Sequence, residues 1–277
     1  MDCPSFVAIG HVTRDLTEQG ATAGGAVAYA ALTARNLGER AAVVTSCARD
    51  LDLAAVFDGI EVARVPSRVT TVFQNLYDGH VRQQFVHSVA ARIEPRHVPL
   101  AWRRAGVVHL APIAREVSPA IAGLFRRSLV GVTPQGYLRR WDSAGRVSPV
   151  PWEQSESILP HVGVVILSDD DVSGGESEIE SYARQVDILV VTRGASGACV
   201  YLKGEPHAVP AFPARAVDPT GAGDAFAAAF LIVFHRTGDP LQAARFANAV
   251  GSLVVERKGL AGIPTIEEIE ARLRICG

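Results

Sequence analysis

The chain has 277 residues, 48% of them hydrophobic and 20% charged, and carries a formal charge of −2 at pH 7. That composition builds a substantial core in one large domain and excludes a disordered chain. A charge so near neutrality supplies no field for nucleic acid or an anionic membrane, so neither is expected as a partner.

In chain order, short apolar runs at Phe6–Gly10, Ala41–Ser46, Gly106–Ile113, Leu129–Thr133, Val162–Ser168 and Asp187–Gly194 read as strands. Their nearly continuous apolar character, without strict alternation, suits a parallel sheet covered on both faces. Helical spacing falls between them at Gly24–Gly38, Pro119–Arg127 and Ser177–Gln185. This alternation predicts an α/β domain with helices on both faces of a mostly parallel central sheet. Two segments break the rhythm. Arg68–Ala90 places Asp78-Gly79 between β-rich runs, a hairpin signal, and its alternating pattern predicts a small β-sheet flap. Gly197–Phe212 reads as a second hairpin at the sheet edge, followed by the apolar run Ala225–Phe234 and helices over Pro240–Arg257 and Thr265–Arg274.

Several chemistries are excluded by what accompanies these elements. The two lysines, Lys203 and Lys258, are each followed by glycine, so neither the P-loop Gly-Lys-Ser/Thr nor the strand lysine of protein kinases is present. Cys3, Cys47, Cys199 and Cys276 are widely spaced and the histidines form no zinc pattern, so a disulfide framework or zinc site has no support and a reducing compartment is expected. The amino-terminal stretch lacks the basic region of a signal peptide, and the longest apolar run, of ten residues, is too short to cross a bilayer. A cytoplasmic location is the resulting expectation.

The segment Val217–Phe234 sets Gly221-Ala222-Gly223-Asp224 directly before an apolar helix. The first N–H groups of such a helix lack intrahelical partners, and with the helix dipole they form a ready anion site. Asp224 then has two readings: a helix-capping acid, or a base held beside an anion hole.

Asp218–Leu231 resembles the carboxy-terminal signature of the ribokinase-like, or PfkB, family of carbohydrate kinases. Three further segments resemble the family in the same order: Gly10–Leu16 with the double-glycine helix start Ala23–Gly38, the turn Val190–Tyr201, and Arg245–Gly259 with its closing Arg-Lys-Gly. The resemblance covers most of the chain. It implies a single domain over residues 1–277 of ribokinase-like three-layer α/β/α form, with a small β lid from roughly 11–22 and 66–92. It also implies an enzyme that moves a phosphoryl group from ATP to a hydroxyl, with Mg²⁺ and, in many members, a monovalent cation such as K⁺.

Residue by residue, the resemblance makes Asp224 the base and Gly221, Ala222 and Gly223 the anion hole. That agrees with the needs of phosphoryl transfer, which relies on positioning and on stabilising charge on oxygen. Asp15 matches an acid that binds acceptor hydroxyls, against a plain turn residue. Gly24 and Gly25 match the double glycine beside the substrate, against ordinary helix-opening glycines. Thr192, Gly194 and Gly197 match the nucleotide-side turn, and Asn248 lies where the family lines its adenine pocket, though a polar helix position would look the same. Asp218 and Thr220 match a monovalent-cation loop, against a loop closed by internal hydrogen bonds. Where the family has Asn-x-x-Glu near Mg²⁺ and phosphate, this chain has Ser168 and Asp171, and the plainer reading has Asp169–Asp171 capping the next helix. Ala26-Val27-Ala28-Tyr29 replaces the Lys-Gly-Ala-Asn of ribokinases, so ribose is disfavoured. Gln135 and Arg139 follow a strand and can face the cleft, Arg139 toward an anionic substrate group or phosphate, against a surface ion pair.

The texture of Thr70–Pro95 and Val209–Phe226 is similar to the inositol-kinase subgroup, which favours a small polyol or sugar acceptor, inositol-like first. Two alternatives stand: a nucleoside kinase of the same family, and a binding relative without turnover, supported by the altered Ser168–Asp171 segment. A dinucleotide-dependent oxidoreductase fails, because Gly-Ala-Gly-Asp-Ala-Phe lacks the third glycine and does not follow an amino-terminal strand. Lid sheets of the family pair between subunits in some members, so a monomer and a homodimer are both open.

Overall fold

The structure, a computed structural model, describes residues 3–17, 20–78 and 81–275. Its strands are β1 (Phe6–Ile9), β2 (Thr13–Thr17), β3 (Gly20–Gly24), β4 (Ala41–Cys47), β5 (Glu61–Pro66), β6 (Thr71–Asp78), β7 (Val81–Ser88) and β8 (Val107–Leu110). They continue with β9 (Leu129–Val132), β10 (Arg139–Trp141), β11 (Val147–Pro149), β12 (Val164–Ser168), β13 (Ile188–Thr192), β14 (Ala198–Leu202) and β15 (Glu205–Val209). The helices are α1 (Ala26–Asn36), α2 (Leu53–Val56), α3 (Ser155–Ile158), α4 (Gly175–Ala183), α5 (Ala222–Thr237), α6 (Pro240–Val254) and α7 (Ile266–Ile275).

Nine strands form the central sheet in the order β15-β14-β13-β12-β9-β8-β1-β4-β5. Pairing is parallel from β13 through to β5, and β14 and β15 close one edge antiparallel. The apolar runs become these strands because both faces are covered: all seven residues of β4 are buried. One face packs against α1, α5 and α6 around Phe6, Val43 and Phe230. The other packs against α4 and the single-turn segments around Trp102 and Ile121.

Helix α5 is the centre of the first layer, with Ala225–Val233 buried without interruption. It lies close on the sheet because Gly131 of β9 has no side chain; a Cβ there would overlap Leu231. Alanines at 243, 244 and 247 of α6 allow an equally close approach from the other side. Truncating a fully buried residue such as Leu231 in a layer this dense typically costs about 2–5 kcal/mol.

The flap is a separate four-stranded sheet, β3-β2-β6-β7. Asp15 pairs with Phe73, Phe73 with Val86 and Asn75 with Gln84, so these five residues share one face. Phe73 and Val86 are buried against the main core, which makes this the inner face. Beyond β7, the Val86 N–H donates to the Gly145 carbonyl at 2.8 Å, fastening the flap to the β10–β11 hairpin.

Two expectations change. Pro119–Arg127 is not an α-helix; a 3₁₀ segment over Pro119–Leu124 replaces it. Gly123 lowers helical propensity in its middle, and one short turn already buries Ile121 and Ala122. Asp169–Asp171 form their own 3₁₀ turn and do not cap the next helix, which starts after Gly174. The Asp78-Gly79 turn runs through Gly79, outside the described residues, although the antiparallel strands on either side of it are present. Cys3, Cys47 and Cys199 are free; Cys276 lies outside the described residues.

Candidate active site

The site lies beyond the carboxyl ends of the parallel strands, where open α/β sheets bind ligands. At its centre is the first turn of α5. Gly221 caps the helix in the left-handed region, φ 78°, and a Cβ there would overlap the Tyr29 ring. Glycine meets both demands. The Ala222 N–H closes a turn on the Pro219 carbonyl at 3.3 Å. The N–H groups of Gly223 and Asp224 have no helical carbonyl behind them, and a Cβ on Gly223 would meet nothing within 4 Å. This side of the turn is open, and with the helix dipole it forms an anion site.

Asp224 stands in that first turn. Burial pushes its carboxyl up to about 7; Asp171 raises it further, Arg139 opposes, and Asp15 again raises it. Three residues remote in sequence therefore act on Asp224 of α5: Asp15 from β2, Arg139 from β10 and Asp171 from the turn after β12. The sequence readings put all four in the site, and the fold brings them together.

On the flap side, the Asp15 carboxylate lies against Gly24, where a Cβ would overlap it, and accepts a 2.9 Å hydrogen bond from the Thr13 hydroxyl. Gly25 has φ 94° and packs on the His11 carbonyl, so the double glycine is demanded by conformation as well as by space. Asn75 and Gln84, hydrogen-bonded to each other at 3.0 Å, extend the same inner face. Sequence reasoning missed this pair, and its signal was the period-two alternation of the flap strands. Glu116 was missed too. Its buried carboxylate accepts N–H groups from His11, Ile113 and Ala114, tying the loop after β8 to the end of β1.

After β12, the Asp171 Oδ1 accepts from the Gln135 amide at 3.0 Å and lies 3.8 Å from the Arg139 guanidinium. Its Oδ2 accepts from the Ser168 N–H at 3.2 Å, and the Ser168 hydroxyl accepts from the Asp170 N–H. Arg139 and Asp171 have side chains only 15% and 11% exposed, so this pair is screened far less than a surface bridge. Arg139 thus sits with Asp171, on a hairpin fastened to the flap.

The nucleotide-side turn is divided. Gly194 has φ 50° with nothing within 4 Å of a would-be Cβ, whereas Gly197 is packed on Val209 and Pro210 and could carry no side chain. The Thr192 hydroxyl donates to the Leu167 carbonyl at 3.4 Å. Asn248 is buried, with its amide donating to the Val209 and Pro210 carbonyls at 3.0 and 3.1 Å. Its nitrogen clamps the loop after β15, so any part it has in an adenine pocket is to shape the wall.

The residues present can be set against the expected ions. Asp171 offers hard oxygen atoms, but among the described residues no three His, Cys, Asp or Glu side chains gather as a metal cage. That suits Mg²⁺ held by one carboxylate, waters and the donor's phosphates. Asp218 accepts the Thr220 N–H at 2.9 Å and the Gly259 N–H at 3.4 Å, while the N–H groups of Val217 and Asp218 donate to the Val255 carbonyl. The loop is closed by its own hydrogen bonds, and a K⁺ would have to use its remaining oxygen atoms.

The sequence pattern of pfkB family carbohydrate kinases matches residues 148–266. A nucleoside kinase from Methanocaldococcus jannaschii is 37% identical over 122 residues, an alignment spanning 42% of this chain and only 40% of that relative. A cytidine kinase from Thermococcus kodakarensis is 29% identical over 259 residues, 86% of this chain and 90% of the relative. Among solved structures, a pyrophosphate-dependent kinase in the ribokinase family, complexed with a pyrophosphate analog and myo-inositol, superposes with a TM-score of 0.81 at 26% identity, over 96% of this chain and 99% of the other. Fold and kinship together define a phosphotransferase with a hydroxyl group as acceptor. Over residues 148–266 the chain is similar to the pfkB family of carbohydrate kinases. Its relatives act on sugars, nucleosides or inositol. Among the described residues no helix is long and apolar enough to cross a membrane.

Proposed function

We propose that the protein is an ATP-dependent kinase that phosphorylates one hydroxyl of a small polyol, with an inositol-like ring favoured over a nucleoside. The observation that carries this reading is the convergence on Asp224 of Asp15 from the flap, Arg139 from the β10–β11 hairpin and Asp171 from the turn after β12. In this reading the acceptor lies under the inner face of the flap, where Asp15, Asn75 and Gln84 offer the dense polar contacts a polyhydroxylated ring requires. Asp224 removes the proton from the reacting hydroxyl as its oxygen attacks the terminal phosphorus. The N–H groups at the start of α5 hold the equatorial oxygens of the transferring group. Arg139 neutralises charge on the departing phosphates, and Asp171 would hold Mg²⁺, which supplies further charge neutralisation at the phosphates when bound. Gly194 leaves room for the donor beside Thr192, while Gly197 and Asn248 hold the turn and loop around it. The Asp218–Thr220 loop would seat a monovalent cation below the anion hole. A cytoplasmic location, with the chain as monomer or homodimer, completes the proposal.

The test is a turnover screen with Mg²⁺ across inositols, simple sugars and nucleosides, each offered ATP and, separately, pyrophosphate. Phosphorylation of an inositol by ATP supports the reading. A nucleoside as the only acceptor replaces the polyol, and turnover with pyrophosphate alone replaces the nucleotide.

The electrostatics around Asp224 carry a pH prediction. A general base must be ionised, so kcat/KM is expected to rise with pH through a limb near pH 7, reporting the free enzyme. Asp171→Asn removes a neighbouring negative charge and moves the limb to lower pH; Arg139→Gln removes a positive one and moves it higher. A pH–rate profile of the three proteins checks the order, and a limb that stays put in both variants contradicts it.

A further inference from the structure

Tyr29 occupies the fourth position of α1, where the ribokinase-like pattern has asparagine. Its ring lies against Gly221 so closely that a Cβ on that glycine would overlap Cγ, Cδ1 and Cε1. The residue is 3% exposed. Burial pushes its phenol well above the usual tyrosine range, and Asp15, Asp218 and Asp224 all add to that rise. The phenol is therefore near the flap acid, the cation loop and the base at once, and it remains protonated at any working pH. Its hydroxyl donates to no described residue and is not among the buried polar atoms left without a partner, so this tip of the side chain is open to the cleft.

A hydrogen-bond donor without a partner, set among carboxylates that can only accept, has one useful role in a polyol site. Asp224 takes the reacting hydroxyl, and Asp15 takes the proton of another. Each leaves an acceptor oxygen with lone pairs and no donor. We propose that Tyr29 is an acceptor-binding residue whose hydroxyl donates to the ring hydroxyl adjacent to the one phosphorylated, so that the site selects cyclic vicinal diols. The ring contact with Gly221 fixes that donor relative to the anion hole, so recognition of the neighbouring hydroxyl and placement of the phosphoryl group share one rigid contact. This rests on the kinase reading above and names the feature of the acceptor that the site reads.

The experiment compares wild type with Tyr29→Phe, which keeps the ring and its packing, on the acceptor that wild type phosphorylates and on the analogue lacking the adjacent hydroxyl. Tyr29→Phe is expected to lose about ten- to a hundredfold in kcat/KM on the full acceptor, mostly through KM. It is expected to match wild type on the deoxy analogue, with donor KM and Tm unchanged. Equal kinetics of the two proteins on the full acceptor overturn the inference. So does an equal loss on both acceptors, which marks a packing role. A wild-type protein that turns over no acceptor removes the kinase reading itself, and so fails differently from a working enzyme indifferent to Tyr29→Phe.

Discussion

Asp224→Asn is expected to lower kcat by about 10²- to 10⁴-fold, the usual worth of a positioned general base, while the protein becomes no less stable. The wild-type carboxyl is held at about 7, above its ordinary 3.8, mainly by burial and then by Asp171. A folded-state pKa raised in this way stabilises the fold fully below the unfolded value and loses that contribution as pH climbs through about 7. Asparagine has the same shape and never ionises. The Tm of the variant, measured without Mg²⁺, is therefore expected to exceed that of wild type by more at pH 8.5 than at pH 5. A variant that is inactive and also markedly less stable at pH 8.5 would mean that Asp224 is a structural cap whose charge the fold requires. The opposite signs of the activity and stability effects are what separate the two readings the sequence left open.

The second large effect concerns the glycines of the anion hole, which the structure makes unequal. Gly221→Ala imposes a side chain on a left-handed residue and drives it into the Tyr29 ring. The expected loss is about 2–4 kcal/mol of stability, combining the conformational penalty with overpacking, and most of the activity goes with it. Gly223→Ala meets no such obstacle, since its Cβ would touch nothing within 4 Å, and a helical alanine is worth about 0.5–1 kcal/mol over glycine. That variant is expected to melt at or above the wild-type temperature. It should nonetheless lose about 10²-fold or more in kcat, because the new methyl group occupies the space where a phosphoryl oxygen approaches the N–H groups. Thermal melts paired with kinetics decide the matter. An active Gly223→Ala enzyme would mean that phosphate does not bind at this turn.

Much of this architecture was legible from residue order because its physics is local or periodic. The buried strands announce themselves as apolar runs, and α1, α5 and α6 by their spacing and end signals. The Gly-Ala-Gly-Asp turn is legible because a glycine-rich helix start has a fixed electrostatic meaning. What was not legible depends on neighbours that spacing cannot reveal. Pro119–Arg127 has helical periodicity, yet one turn satisfies its burial. Arg139 reads as facing the cleft toward an anionic substrate group or phosphate, and only the path of the β10 hairpin shows it beside Asp171. Asn248 reads as a pocket residue, and only the fold shows its amide holding the carbonyls of Val209 and Pro210. Tyr29 was noted only for the asparagine it displaces, because its contact with Gly221 joins residues 192 positions apart (221 − 29).

The hydrogen bond from Val86 to Gly145 joins the flap to the β10–β11 hairpin. Strand β7 belongs to the sheet that presents Asp15, and Gly145 lies in the hairpin whose first residue is Arg139. On the proposed kinase reading, a shift of the flap by a bound acceptor would reach Arg139, the cation beside Asp171, along a short backbone path. Binding on one side and binding on the other are then not independent events, and each favours the other by the same free energy.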